Sequence, residues 1–157
     1  MYPRDFIDTN LWITPAAEGS DRLATKYAYV AGPMTGIPGF NYPAFDAARD
    51  LLASEGWDVI SPADLDRRNL QIDFGAMAGT EDLSEYVTDF ARQDIAALLI
   101  ADAVFLLEGW EKSRGAKNEA RIAGMLGVPI YDLMDRVMVT GVPMYRLVTV
   151  DDARFCQ

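Results

Sequence analysis

Four short apolar runs, Tyr27–Ala31, Trp57–Ile60, Ala103–Leu107 and Val128–Tyr131, restrict the chain to a narrow set of folds. Each has the length and β-branched or aromatic content of a strand, and segments of helical period separate them. The first run leads into Gly32-Pro33-Met34-Thr35-Gly36-Ile37-Pro38-Gly39, a shaped loop rich in turn formers. Asn41 then offers an N-cap and Pro43 suits a first helical turn. Phe45, Ala48, Leu51 and Leu52 follow at helical spacing, and Gly56 suits a C-cap before the second run. Strand, glycine loop, helix and strand make a βαβ unit.

The second half repeats the plan. A helix is expected over 84–100 with the stripe Val87, Phe90, Ala91, Asp94, Ile95 and Leu98, and a second over 116–126, capped by Gly127. These elements predict an α/β fold: a flavodoxin/Rossmann-like, doubly wound parallel sheet of four to five strands, ordered 2-1-3-4, with right-handed crossovers. Residues 137–139 and 146–150 are candidates for a hairpin or fifth strand. Residues 63–82, polar and mixed, read as a long loop or lid. Residues 1–25 have no sustained period and read as an extension packing on the domain or on a second subunit. Residues 26–157 then form a single domain.

Composition narrows the chemistry. The net charge of −10 argues against general binding to nucleic acid or anionic membranes. The absence of histidine excludes Ser-His and Cys-His catalysis and histidine metal sites. The single cysteine, Cys156, excludes an internal disulfide and a cysteine metal cluster. Acid–base chemistry near neutral pH therefore falls to carboxylates, Tyr, Lys or Arg. No apolar run approaches the ~20 residues of a membrane span, and the early charges Arg4 and Asp5 do not suit a signal peptide. A soluble cytoplasmic protein is expected. The acidic residues show no spacing typical of a Mg²⁺ or Ca²⁺ site, so neither a metal nor a cofactor is expected.

Against the acidic background, Lys112, Arg114, Lys117 and Arg121 form a local basic cluster around a strand–loop–helix junction. That junction also carries Trp110, Ser113 and Gly115. Glu119 shares a helical stripe with Ile122, Ala123 and Leu126, and Asp94 interrupts the stripe of the preceding helix. Burying an ionised carboxylate without partners is very costly. Each residue taken alone is open to a structural explanation, pairing with a base or a backbone N–H. Both helices, however, should direct these carboxylates toward the C-terminal edge of the sheet. Two carboxylates there can divide labour, one ionised as nucleophile and one protonated as acid.

Other positions keep two readings. The Gly32–Gly39 loop is either a structural turn or an anion-binding nest; it matches neither the dinucleotide fingerprint nor the P-loop. Tyr29 is a core tyrosine or a site residue, Ser113 a loop serine or an anion ligand, and Trp110 a packing residue or a wall for a flat base. Asp102 reads as a strand-edge cap.

Taken in order, Tyr29-Val30-Ala31-Gly32, Asp94 with Asp102-Ala103-Val104, and Ser113-Arg114-Gly115-Ala116-Lys117-Asn118-Glu119 resemble the nucleoside 2-deoxyribosyltransferase superfamily. Within it they are nearest to the nucleoside 5′-monophosphate N-glycosidases. Ala31-Gly32-Pro33-Met34-Thr35-Gly36 with Asn41-Tyr42-Pro43-Ala44-Phe45 also resembles a short branch found in bacteria and phages. The resemblance covers Tyr27 to about Tyr131.

It implies that Glu119 is the nucleophile that attacks the anomeric carbon of a (deoxy)ribosyl unit. Asp94 would protonate the departing base, and Tyr29 would orient Glu119 or touch the sugar. Gly32, Met34, Thr35, Gly36, Asn41, Trp110, Ser113, Arg114, Gly115 and Asn118 would bind substrate, with the glycine loop and Ser113 on the 5′-phosphate. Pro33 departs from the family's loop and removes one N–H donor; Thr35, Arg114 and Lys117 are placed to compensate. Residues 63–82 would cover the base. The partner implied is a small-molecule nucleotide or nucleoside, and the assembly a homodimer or higher homo-oligomer.

The leading expectation is an N-glycosidase acting on a (deoxy)nucleoside 5′-monophosphate. The alternatives are base exchange between deoxynucleosides, a nucleotide-binding protein without turnover, and a purely structural accessory protein.

Overall fold

The computed structural model describes residues 26–139. The readings of 1–25 and of 146–150 fall outside them. Four parallel strands form one sheet: β1 (Tyr27–Ala31), β2 (Asp58–Ile60), β3 (Ala103–Leu106) and β4 (Ile130–Asp132), in the order β2-β1-β3-β4. This is the expected doubly wound α/β arrangement. The two central strands are the apolar ones, and β3 is buried at every position. Register is set by Tyr29, which pairs with Ile60 on one side and Val104 on the other. Asp102 fastens the start of β1: its Oδ2 accepts from the Tyr27 N–H at 2.8 Å, and its own N–H donates to the Tyr27 carbonyl at 2.8 Å.

Successive side chains of a strand face opposite ways, so each central strand serves two cores. Ala28, Val30 and Phe105 face helix α1 (Tyr42–Ser54) through Phe45, Ala48 and Leu52. Tyr29, Ala31, Val104 and Leu106 face helices α3 (Val87–Ile100) and α4 (Arg114–Leu126), which follow the short α2 (Pro62–Leu65). From β1 the chain passes to β2 on one side and later returns to β3 on the other. The crevice beyond the carboxyl ends of β1 and β3 is therefore the switch point at which such sheets bind ligands.

The structure redraws several sequence readings. Residues 63–82 are not a free lid: after α2 come a π-helical turn, Asp66–Leu70, and a 3₁₀ turn, Phe74–Ala76. Ala63, Leu65, Asp66 and Phe74 are buried. Three short helices of different pitch leave no single period to read. The glycine loop is sewn to this stretch, Gly36 N–H to Gly79 O at 2.8 Å and Gly39 N–H to Met77 O at 2.7 Å.

Asn41 occupies the N-cap position with φ 61° and does not cap; its Nδ2 donates to Pro33 O at 2.9 Å, holding the loop instead. Leu51 and Leu126, assigned to buried stripes, are both 44% exposed. On α3 the inward face runs through Phe90, Gln93, Asp94, Ala97 and Leu98, while Val87, Ala91 and Ile95 are exposed. Apolar residues surround much of this helix, so their spacing did not single out one face. The face of α4 on the sheet is Ala116, Ala120 and Ala123, whose small side chains let the helix approach closely. After β4 the chain turns back, and Met138 forms an antiparallel bridge to Tyr131.

No helix among the described residues is long and apolar enough to cross a membrane.

Candidate active site

Tyr29, Asp94 and Glu119 come from β1, α3 and α4, which pack on one face of the sheet. The tyrosine is wholly buried, and its hydroxyl has no hydrogen-bond partner of good geometry. Asp94 and Glu119 both bear on it: burial first, then the charges of Asp94 and Glu119, push its pKa well up. It is therefore a neutral O–H donor at any physiological pH.

Asp94 and Glu119 keep some exposure as residues, yet their carboxyl groups are surrounded by protein. Burial raises Asp94 well above the usual carboxylate range, and the charges of Glu119 and Asp66 raise it further. Glu119 is raised to about 7 by burial, while the neighbouring Tyr29 hydroxyl and Asp94 carboxyl limit the rise. The two acids thus titrate as a pair, and burial with the charges of Glu119 and Asp66 favours the protonated form of Asp94. The same conclusion follows from Asp94 Oδ1, a buried oxygen without a donor. Such an atom is costly as part of a carboxylate, and protonation relieves that cost.

The N-terminus of α4 is the second part. Ser113 is its N-cap, and Oγ accepts from the Ala116 N–H at 3.2 Å. The N–H groups of Arg114 and Gly115 have no backbone partner among the described residues. A Cβ added at Gly115 would meet only Ser113 Oγ, at 3.9 Å, so the backbone there is open to approach. A helix N-terminus with open N–H groups beside Arg114 and Lys117 favours an anion.

The remaining sequence candidates divide. Gly32 lies against Leu107, where a side chain would collide at 2.7 Å. Met34 packs on the α1-side core. Thr35 and Gly36 are exposed, but the Gly36 N–H is spent on Gly79 and is not an anion donor. Trp110 packs partly buried against the α3–α4 core. Asn118 is exposed and accepts from Arg121 at 3.1 Å.

Sequence reasoning missed Asp66, Tyr42 and Gln93. Asp66 is 3% exposed; its Oδ2 accepts from Tyr42 Oη at 2.5 Å and its Oδ1 from Gln93 Nε2. Gln93 Oε1 in turn accepts from Asn69 at 3.2 Å. Only the polarity of Gln93, one position before Asp94, hinted at this network. Among the described residues no group of three acidic, histidine or cysteine side chains is placed to hold a metal ion.

A sequence-family model described as "Domain of unknown function (DUF4406)" matches residues 26–132. The chain belongs to this family. The DUF4406 span runs from the residue before β1 to the end of β4, so Tyr29, Asp66, Asp94, Ser113 and Glu119 all fall within the family domain. Comparison with curated proteins gives no match.

Proposed function

We propose that this DUF4406 protein is an N-glycosidase that cleaves a (deoxy)nucleoside 5′-monophosphate, acting in the cytoplasm as a member of the nucleoside 2-deoxyribosyltransferase superfamily. The observation that carries the reading is the Asp94–Glu119 pair, one acid holding a proton opposite another that ionises near neutrality. Glu119 attacks the anomeric carbon. The C–N bond breaks as Asp94 gives its proton to the departing base, leaving a glycosyl ester on Glu119. Asp94, now a carboxylate, takes a proton from water; the hydroxide attacks the anomeric carbon, freeing (deoxy)ribose 5-phosphate and the Glu119 carboxylate. Tyr29 orients the Glu119 carboxylate or contacts the sugar. The α4 N-terminus receives the 5′-phosphate.

The test is base release from a panel of nucleoside monophosphates, followed by chromatography, with Glu119→Gln and Glu119→Ala beside wild type. Both variants should lose at least ~10²-fold, roughly 3 kcal/mol of transition-state stabilisation. Adding a second free base to a monophosphate or to a deoxynucleoside separates exchange from hydrolysis, since only exchange makes a new nucleotide or nucleoside. Tight nucleotide binding without product over hours would replace the enzyme reading with a binding protein.

A homodimer is part of the proposal. Val87, Ile95 and Leu99 on α3 are each more than 40% exposed, apolar surface that a second copy would cover. A monomer by sedimentation would remove this part alone.

A further inference from the structure

The mechanism above leaves unused a buried polar network beside its acid. Asp66 lies in the π-helical turn between α2 and α3, a local geometry that recurs at functional sites. Two donors from separate elements hold its carboxylate, Tyr42 Oη from α1 and Gln93 Nε2 from α3. Arg67, one residue on, lies over the Tyr42 ring at 4.9 Å and binds Asp46 in two hydrogen bonds, at 2.8 and 3.0 Å. The tyrosine is thus held on its face as well as at its hydroxyl.

Gln93 immediately precedes Asp94, and both belong to the inward side of α3. Anchoring Gln93 to Asp66 fixes the rotation of α3 about its axis, and with it the direction of Asp94. We propose that Asp66 is a positioning residue: through Gln93 it aims Asp94 at Glu119, and through its charge it keeps the proton on Asp94. The inference rests on the glycosidase reading for its purpose, but not for its geometry.

Glu119 from α4, Tyr29 from β1 and Asp66 from the π-helical turn all bear on Asp94. Of the two carboxylates, Asp66 accepts hydrogen bonds on both oxygens, which favours its ionised form. Burial works against this and raises Asp66 to about 6, so at pH 7 it is still mostly charged. An ionised group there opposes loss of the Asp94 proton.

The experiment is a carboxyl-carbon NMR titration of Asp94 in the full chain, wild type against Asp66→Asn, with no substrate present. The Asp94 midpoint should fall by at least one pH unit, a tenfold loss of proton affinity. An unchanged midpoint in a folded Asp66→Asn protein overturns the proposal. If that variant does not fold, Tyr42→Phe replaces it. Removing the hydroxyl donor makes Asp66 easier to neutralise, so the Asp94 midpoint should fall in the same direction by a smaller amount; no movement again overturns the proposal. Base release is then followed against pH, and the alkaline limb of kcat/KM should move down with the Asp94 midpoint. A moved midpoint without base release by wild type would leave Asp66 in its role and sink the glycosidase reading instead.

Discussion

Asp94 and Glu119 reach one another from successive helices across the α3–α4 packing, and each changes the other's acidity in the opposite sense. The charge of Glu119 raises Asp94, whereas the neighbouring Asp94 carboxyl holds Glu119 down. One proton shared in this way gives an acid and a nucleophile from two residues of the same chemistry.

Activity should therefore be bell-shaped in pH. As pH rises through about 7, Glu119 ionises and kcat/KM should climb. At higher pH Asp94 loses its proton and the rate should fall. Asp94→Asn should remove the alkaline limb and lower the rate by at least ~10²-fold for substrates with a poor leaving base. A flat profile from pH 5 to 9 would contradict the pairing.

Stability should move the other way. Asp66 is raised from 3.8 to about 6 and Glu119 from 4.5 to about 7, so between about pH 4 and 7 the folded protein holds more protons than the unfolded chain. Stability must then fall as pH rises through that window. Asp46 is lowered by its hydrogen bond to Arg67 and contributes in the opposite sense, its stabilisation being lost in stronger acid. Urea unfolding should place maximum stability at mildly acidic pH. Glu119→Gln should flatten the slope and gain about 1 kcal/mol at pH 8, the usual exchange of activity for stability at such sites.

Two glycines should separate sharply. Gly79, at φ +92°, has no room for a side chain: a Cβ would stand 1.8 Å from Ile37 O. Gly79→Ala should break the Gly36–Gly79 hydrogen bond and cost about 3 kcal/mol or more. Gly36 has a similar φ, +82°, with nothing within 4 Å, so Gly36→Ala should cost only about 1 kcal/mol. Equal melting temperatures for the two variants would contradict the packing of the loop against residues 74–79.

Ser113→Ala should act twice. Losing the N-cap bond to Ala116 should cost about 1 kcal/mol of stability. If the α4 N-terminus also holds the 5′-phosphate, KM for monophosphates should rise several-fold while KM for the corresponding nucleosides stays put. Equal changes in both would confine Ser113 to its capping role.

The order of the strands and the two carboxylates were legible because they depend on local pattern. A buried strand must be apolar, a loop between strand and helix needs glycine and a cap, and an acid inside a helical stripe stands out against its neighbours. Asp94 and Glu119 were nameable for that reason, whereas Tyr29, which by pattern alone reads equally as a core tyrosine, was singled out by the family resemblance. Asp66 was not: it sits in an aperiodic run, and its partners Tyr42 and Gln93 are distant in the chain. Nor did the sequence tell that the Gly36 N–H is taken by Gly79, because a glycine that binds an anion and one that admits another backbone look alike. The sequence alone determined the layers of the fold and the kinds of chemistry open to it, since these follow from composition and period. Only the tertiary structure decided which polar groups face each other. Burial and charge coupling depend on distances through space, and those set where the proton sits.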